Sequence, residues 1–173
     1  SQPFGRQRAN DHESHRAECH TEQYRKKQSK KKKKISPTSE KKQEIKQKYQ
    51  EGRHCVLGLG TGVSLTPVFN ELIRRHKEDG LSFKNVIVFN AYEYFPLNKD
   101  SQNSTLNQLK SRLLDNIDIE EKNVFAPDGT ISQDEVQQYC RLYEQNIKKQ
   151  GGIDIMLLGI GRNGNIATNE PGS

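Results

Sequence analysis

The sequence predicts an α/β fold, a parallel sheet whose strands are joined by crossover helices, preceded by a basic tail that does not fold. Three observations carry that reading. Two apolar runs, residues 55–59 and 153–161, are nearly continuous rather than alternating and flow into glycines, as strands covered on both faces do. Between such runs the apolar spacing changes to the 3.6-residue period of a helix. Charge and hydropathy also split the chain. Residues 1–50 hold 15 Lys and Arg against 6 Asp and Glu, a net of +9, whereas residues 51–173 hold 13 against 16, a net of −3. A segment as polar as the first cannot bury enough surface to offset its ordering entropy. Residues 1–35 are therefore expected to be disordered, and residues 36–173 to form the folded part.

The elements follow in chain order. Ser36-Pro37 opens a short charged helix, with Ile45 and Tyr49 on one face and its end near Gly52. Cys55 to Leu59 is the first strand. Leu65, Val68, Phe69, Leu72 and Ile73 then mark the core side of a helix that has Pro67 in its first turn and Gly80 past its end. Residues 85–91 read as a second strand, and Leu106, Leu109 and Leu113 as a further helix. Ser132 and Glu135 have the spacing of a capping box, opening a helix with Val136, Tyr139, Cys140, Tyr143 and Ile147 inward. Gly151-Gly152 stops it, and residues 153–161 supply a third strand.

Composition excludes several classes. No apolar run approaches the ~18 residues of a membrane span, and no charged-then-apolar segment opens the chain, so neither a membrane partner nor a secretory signal is expected. Cys19, Cys55 and Cys140, odd in number and far apart, read as free or buried thiols in a reducing cytoplasm. The run Lys30 to Lys34 has no aromatic residues interleaved to stack bases, so it reads as a solvated charge run rather than a nucleic-acid site. His12, His15, Cys19 and His20 match no zinc spacing, and no metal is expected.

The chemistry is expected at the strand ends, where ligands of parallel sheets sit. After the first strand come Thr61, Gly62, Val63 and Ser64, small residues whose N–H groups can approach an anion at a helix N-terminus. The Lys of a nucleotide-binding phosphate loop is missing. Gly159, Gly161 and Gly164 formally fit a dinucleotide fingerprint, but the helix and distant acid that it requires do not follow, so no cofactor is expected.

The stretches LGLGTGVSLTPVFNELIRRHKEDGLSFKNVIVFNAYEYFPL and GGIDIMLLGIGRNGNIATNEPGS, with their spacing, resemble the glucosamine-6-phosphate deaminase/isomerase family over about residues 50–173. The resemblance implies a Rossmann-like deaminase/isomerase fold and conversion of glucosamine 6-phosphate and water to fructose 6-phosphate and ammonia. It implies a sugar phosphate held against Thr61, Gly62, Val63 and Ser64, with Glu170 assisting ring opening. Two departures stand out. The family's catalytic Asp is replaced by Tyr92, and its Asp-Gly-His by Asn163-Gly164-Asn165. A phenol has an ordinary pKa near 10, so making it a base at neutral pH costs about 4 kcal/mol, or about three decades in rate. The neighbouring Glu93 lies one position along a strand and so on the opposite side, which makes it no automatic substitute, although activity could still rest on Glu93 and Glu170. An asparagine at 165 can bond a sugar oxygen but cannot shuttle a proton. The chain is also similar to a longer deaminase-like subgroup that carries Tyr and Asn at these two positions, usually followed by a deacetylase-like domain.

The expected function is thus a deaminase-type enzyme domain acting on an amino-sugar phosphate, with impaired or altered catalysis. The alternatives are a non-catalytic sugar-phosphate-binding relative and a 6-phosphogluconolactonase-like hydrolase; homo-oligomerisation is left open. Only about the first half of the resembled domain is present, and the start without Met and the end at Ser173 predict a fragment that folds poorly and turns over little by itself.

Overall fold

Cys55 to Leu59 and Val86 to Asn90 do form strands buried along their whole length, as continuous apolar runs require. The computed structural model describes residues 37–98 and 101–169. The basic tail, its lysine run, the His/Cys group of residues 12–20 and Glu170 all lie outside the described residues.

The described elements are α1 (Pro37–Gln50), β1 (Cys55–Leu59), α2 (Thr66–Asp79), β2 (Val86–Asn90), α3 (Thr105–Arg112), β3 (Val124–Phe125), α4 (Val136–Lys149) and β4 (Ile155–Leu157), with short 3-10 turns at Val63–Leu65, Leu114–Asn116 and Glu121–Asn123. The four strands are parallel in the order β3-β2-β1-β4. Leu57 pairs with Val88 on one side and Ile155 on the other, which makes β1 a central strand.

Side chains alternate across the sheet and build two cores. On one face Cys55, Leu57, Leu59, Val86 and Val88 pack against Ile45 of α1, Phe69 and Leu72 of α2, and Leu109 of α3. On the other, Val56, Ile87 and Phe89 pack against Tyr143 and Ile147 of α4. Phe89 stacks on Phe125 at 4.9 Å and meets Tyr143 edge-on at 5.6 Å. The chain winds outward from β1 through β2 to β3 on one face, then returns over the other face to β4. The direction reverses between β1 and β4, the kind of switch point at whose carboxyl ends parallel sheets bind their ligands.

Several expectations need adjusting. A fourth strand exists: Val124–Phe125 is only two residues long, too short to register as a period in the sequence. The last strand is three residues rather than nine, because the chain after Leu157 leaves the sheet to form a loop bridged between Ile160 and Ile166. Tyr49 does not share the buried face of Ile45: it is 64 % exposed, since α1 ends there in an exposed turn running to His54. Gly80 caps α2 in the left-handed region at φ 65°, as the spacing required. The capping box is half made, with the Ser132 N–H and hydroxyl both donating to the Glu135 carboxylate.

Candidate functional site

The backbone ladder brings three strand ends together. Gly60 N–H donates to the Leu157 carbonyl at 2.8 Å, and Ala91 N–H to the Leu59 carbonyl at 2.8 Å, so the loops after β1, β2 and β4 leave the sheet side by side. After β1, Thr61 is 7 % exposed and Gly62 takes φ 135°, a backbone region that favours glycine. The chain then enters one 3-10 turn that runs straight into the 14-residue α2. No side chain caps this turn, and Val63 and Ser64 are exposed. The first N–H groups of such a turn have no acceptor within it and carry the positive end of the helix dipole, which suits an anion.

The loop after β4 faces this turn closely. A Cβ on Gly159 would lie 2.9 Å from the Ser64 hydroxyl and 3.5 Å from the Thr61 carbonyl, so the two loops pack closely here and any larger residue would have to displace the Ser64 hydroxyl. Beyond it, Gly161 N–H donates to the Asn165 carbonyl at 2.8 Å, and Ala167 N–H returns to the Gly159 carbonyl at 2.8 Å. These bonds fold residues 159–169 into a small hairpin. Asn163 is exposed at its tip and Asn165 is half-buried on its returning limb. Ala167 sits at φ 56°, a left-handed conformation unusual for a residue with a Cβ. Glu170, which follows the last described residue of this hairpin, is not described.

The end of β2 supplies Tyr92 and Glu93, and both are engaged. The Tyr92 hydroxyl donates to the Thr61 carbonyl at 3.0 Å, accepts from the Thr61 N–H at 3.3 Å, and lies 3.2 Å from the Thr61 hydroxyl. The Tyr92 carbonyl in turn accepts from the Asn90 amide at 3.0 Å and from the Thr105 hydroxyl. The Glu93 carboxylate points the other way, to the start of α3. There it accepts from the Thr105 N–H at 2.8 Å, the Leu106 N–H at 3.2 Å, the Ser104 hydroxyl at 2.7 Å and the Tyr94 N–H at 3.0 Å. An acid at that position satisfies orphan N–H groups and complements the helix dipole.

Thr61 and Tyr92 are therefore in contact, and Ser64 lies beside the β4 loop. Glu93 is turned to the start of α3, away from Thr61, and Asn163 stands at an exposed tip. Sequence reasoning passes over four residues that shape the candidate site. Gly159 was read only as part of a discarded fingerprint. Asn90 is fully buried, and as the polar residue ending an apolar strand it could have been noticed. Thr105 and Ser104 precede a leucine-spaced helix, the usual place for a cap. Among the described residues no group of three or more His, Cys, Asp and Glu is arranged to hold a metal ion.

Comparison with known proteins gives one consistent answer. The profile of the family described as glucosamine-6-phosphate isomerases/6-phosphogluconolactonase matches residues 30–172. A glucosamine-6-phosphate deaminase-like protein of Bacteroides thetaiotaomicron is 62% identical over 131 residues, covering 76% of this chain and 20% of that protein. A glucosamine-6-phosphate deaminase of a Geobacillus species is 42% identical over 124 residues, covering 72% of this chain and 49% of that one. Among solved structures, a monomeric glucosamine-6-phosphate deaminase superposes with a TM-score of 0.70 at 38% identity, over 79% of this chain and 54% of that chain. The 6-phosphogluconolactonase of Thermotoga maritima shares the fold, with a TM-score of 0.61 at 20% identity over 76% of this chain and 57% of that chain. The chain thus spans about half the length of the Geobacillus relative and a fifth of the Bacteroides one.

Proposed function

The chain belongs to the glucosamine-6-phosphate isomerase/6-phosphogluconolactonase family, and from that premise we propose that its whole protein is a deaminase-type enzyme acting on an amino-sugar phosphate. One observation carries the reading: the open N–H groups of residues 62–64 lie in the turn that leads into α2, and Ser64 of that turn lies against Gly159 of the loop after β4. An anion there meets the positive end of a 14-residue helix, and a sugar attached to it extends over the strand ends.

In this reading Thr61, Gly62, Val63 and Ser64 hold the phosphate. Asn163 and Asn165 hydrogen-bond sugar oxygens, and Glu170 assists ring opening. The open chain then moves a proton from C2 to C1, and the resulting imine takes up water and releases ammonia to leave fructose 6-phosphate. The proton transfer needs a base other than Tyr92, whose hydroxyl is committed to the Thr61 peptide. Cys55, a buried free thiol, suits a reducing cytoplasm.

The full-length protein is expected to release ammonia from glucosamine 6-phosphate, measured by a coupled assay. Glu170→Gln should abolish that release while the dissociation constant for the sugar phosphate stays within about twofold. Turnover that survives the substitution would remove Glu170 from the mechanism.

A second reading, a relative that holds the sugar phosphate without turning it over, is favoured by the commitments of Tyr92 to Thr61 and of Glu93 to α3. Thermal stabilisation by glucosamine 6-phosphate with no ammonia released would select it. Hydrolysis of 6-phosphogluconolactone would instead point to the lactonase branch of the family.

A further inference from the structure

We propose that Tyr92 is a positioning residue: its phenol is a strut that holds the Thr61 peptide, and through it the anion-binding turn, in place. The inference rests on the reading of residues 61–64 as the phosphate site. It deepens that reading by giving the residue that replaces the family's acid a different task.

The ladder between β1 and β2 stops short of Thr61. Its last main-chain rung is Ala91 N–H to the Leu59 carbonyl. Beyond it β2 turns away toward α3, so the next outward-facing groups of β1, the N–H and carbonyl of Thr61, lose their strand partner. The Tyr92 hydroxyl takes both: it accepts from the N–H at 3.3 Å and donates to the carbonyl at 3.0 Å. A phenol has one proton and two lone pairs, and this arrangement uses the proton and leaves one lone pair facing the Thr61 hydroxyl at 3.2 Å. The side chain thus extends the ladder by one rung. Its own backbone is anchored, because the Tyr92 carbonyl accepts from the Asn90 amide and the Thr105 hydroxyl, and Asn90 is fully buried. The ring edge also lies 3.4 Å from where a Cβ on Gly60 would be. Thr61 is followed at once by Gly62, which has no side chain to restrain it. Without the strut the turn that aims the N–H donors of residues 62–64 has only its short 3-10 bonds to hold it.

Tyr92→Phe in the full-length protein tests this, because it removes the hydroxyl and keeps the ring. In the ligand-free protein, amide hydrogen exchange at Thr61 and Leu65, the bonded N–H groups of this turn, should accelerate at least tenfold, with the β1 and β2 amides unchanged. Dissociation constants for inorganic phosphate and for glucosamine 6-phosphate, read by calorimetry, should both rise five- to tenfold. Where the wild type turns over, KM should rise while kcat holds within about twofold. Placing 3-fluorotyrosine at position 92 restores the hydroxyl, and at pH 7 should restore both protection and affinity.

Unchanged exchange and affinity in Tyr92→Phe would overturn the proposal. So would unchanged affinity with kcat abolished, which would return Tyr92 to the chemistry. If exchange responds as expected but the wild type binds no phosphate, the strut stands and the sugar-phosphate reading falls.

Discussion

Glu93 shows how a side chain's task depends on the groups it meets. Its carboxylate accepts four hydrogen bonds at the start of α3, three of them from Ser104, Thr105 and Leu106. Glutamine has one carbonyl oxygen, and its NH2 would face donors where the second carboxylate oxygen now accepts. Glu93→Gln should therefore cost about 1–3 kcal/mol, read as a lower denaturation midpoint. An unchanged midpoint with lost ammonia release would mean that Glu93 is the missing base. Asp118 carries a pH dependence. Burial pushes its carboxyl up, but the Phe83 N–H at 2.6 Å, the Ser82 hydroxyl at 2.7 Å and His76 at 3.6 Å outweigh that and hold it below the ordinary carboxylate value. A depressed folded-state value contributes stability above the unfolded value of about 4, and that stability is lost as pH falls through the folded one. Asp118→Asn should flatten the acid limb of a stability-versus-pH curve below about pH 4. An identical limb in the variant would exclude Asp118 as its source. Cys55 is the opposite case: burial first, then Asp154 and Glu44, push its thiol up to about 12, which keeps it inert inside β1.

At the scale of elements, α4 does more than cover the second face of the sheet. Tyr143 donates its hydroxyl to the Asn90 carbonyl at 2.9 Å and contacts the Phe125 carbonyl at 3.1 Å, so one residue ties the helix to the ends of β2 and β3. Because β3 has only two residues, this tie matters to its docking. Tyr143→Phe leaves the ring in its edge-on contact with Phe89 but strips buried carbonyls of a donor. The expected loss is about 1–2 kcal/mol, with faster exchange at β3, measured by denaturation and hydrogen exchange. Tyr143 and Ile147 could be foreseen as the buried pair of α4, since they are four residues apart on a strongly amphipathic segment. Leu142 shows the limit of such reading, being 50 % exposed on the other side of the same helix.

Across the whole molecule, β3 and β4 are the edges of the described sheet, and β4 pairs only with β1 among the described residues. Ile155–Leu157 is short, apolar and flanked by exposed Ile160, so its open side is a template for another strand. The 173-residue chain by itself should self-associate as its concentration rises, seen in sedimentation, and charged substitutions on the β4 edge should reduce this. A monomer across the accessible concentration range would show that the edge is covered. The same topology explains where the candidate site lies. Winding reverses between β1 and β4, and the loops after those strands, one opening α2 and the other folding into the 159–169 hairpin, are the two that meet.

Hydrophobic run length and glycine spacing determined the fold class and the phosphate-turn candidate, because burial on both faces and the positive φ of Gly62 leave direct marks on local composition. Three-dimensional packing alone decided which polar groups remain free to act. Tyr92 meets Thr61 from 31 residues away, and Glu93 meets Ser104, Thr105 and Leu106 from more than ten. Hydrogen bonds depend on distance and direction in space, and no pattern along a chain records which donor a carboxylate or phenol will find once the strands have paired.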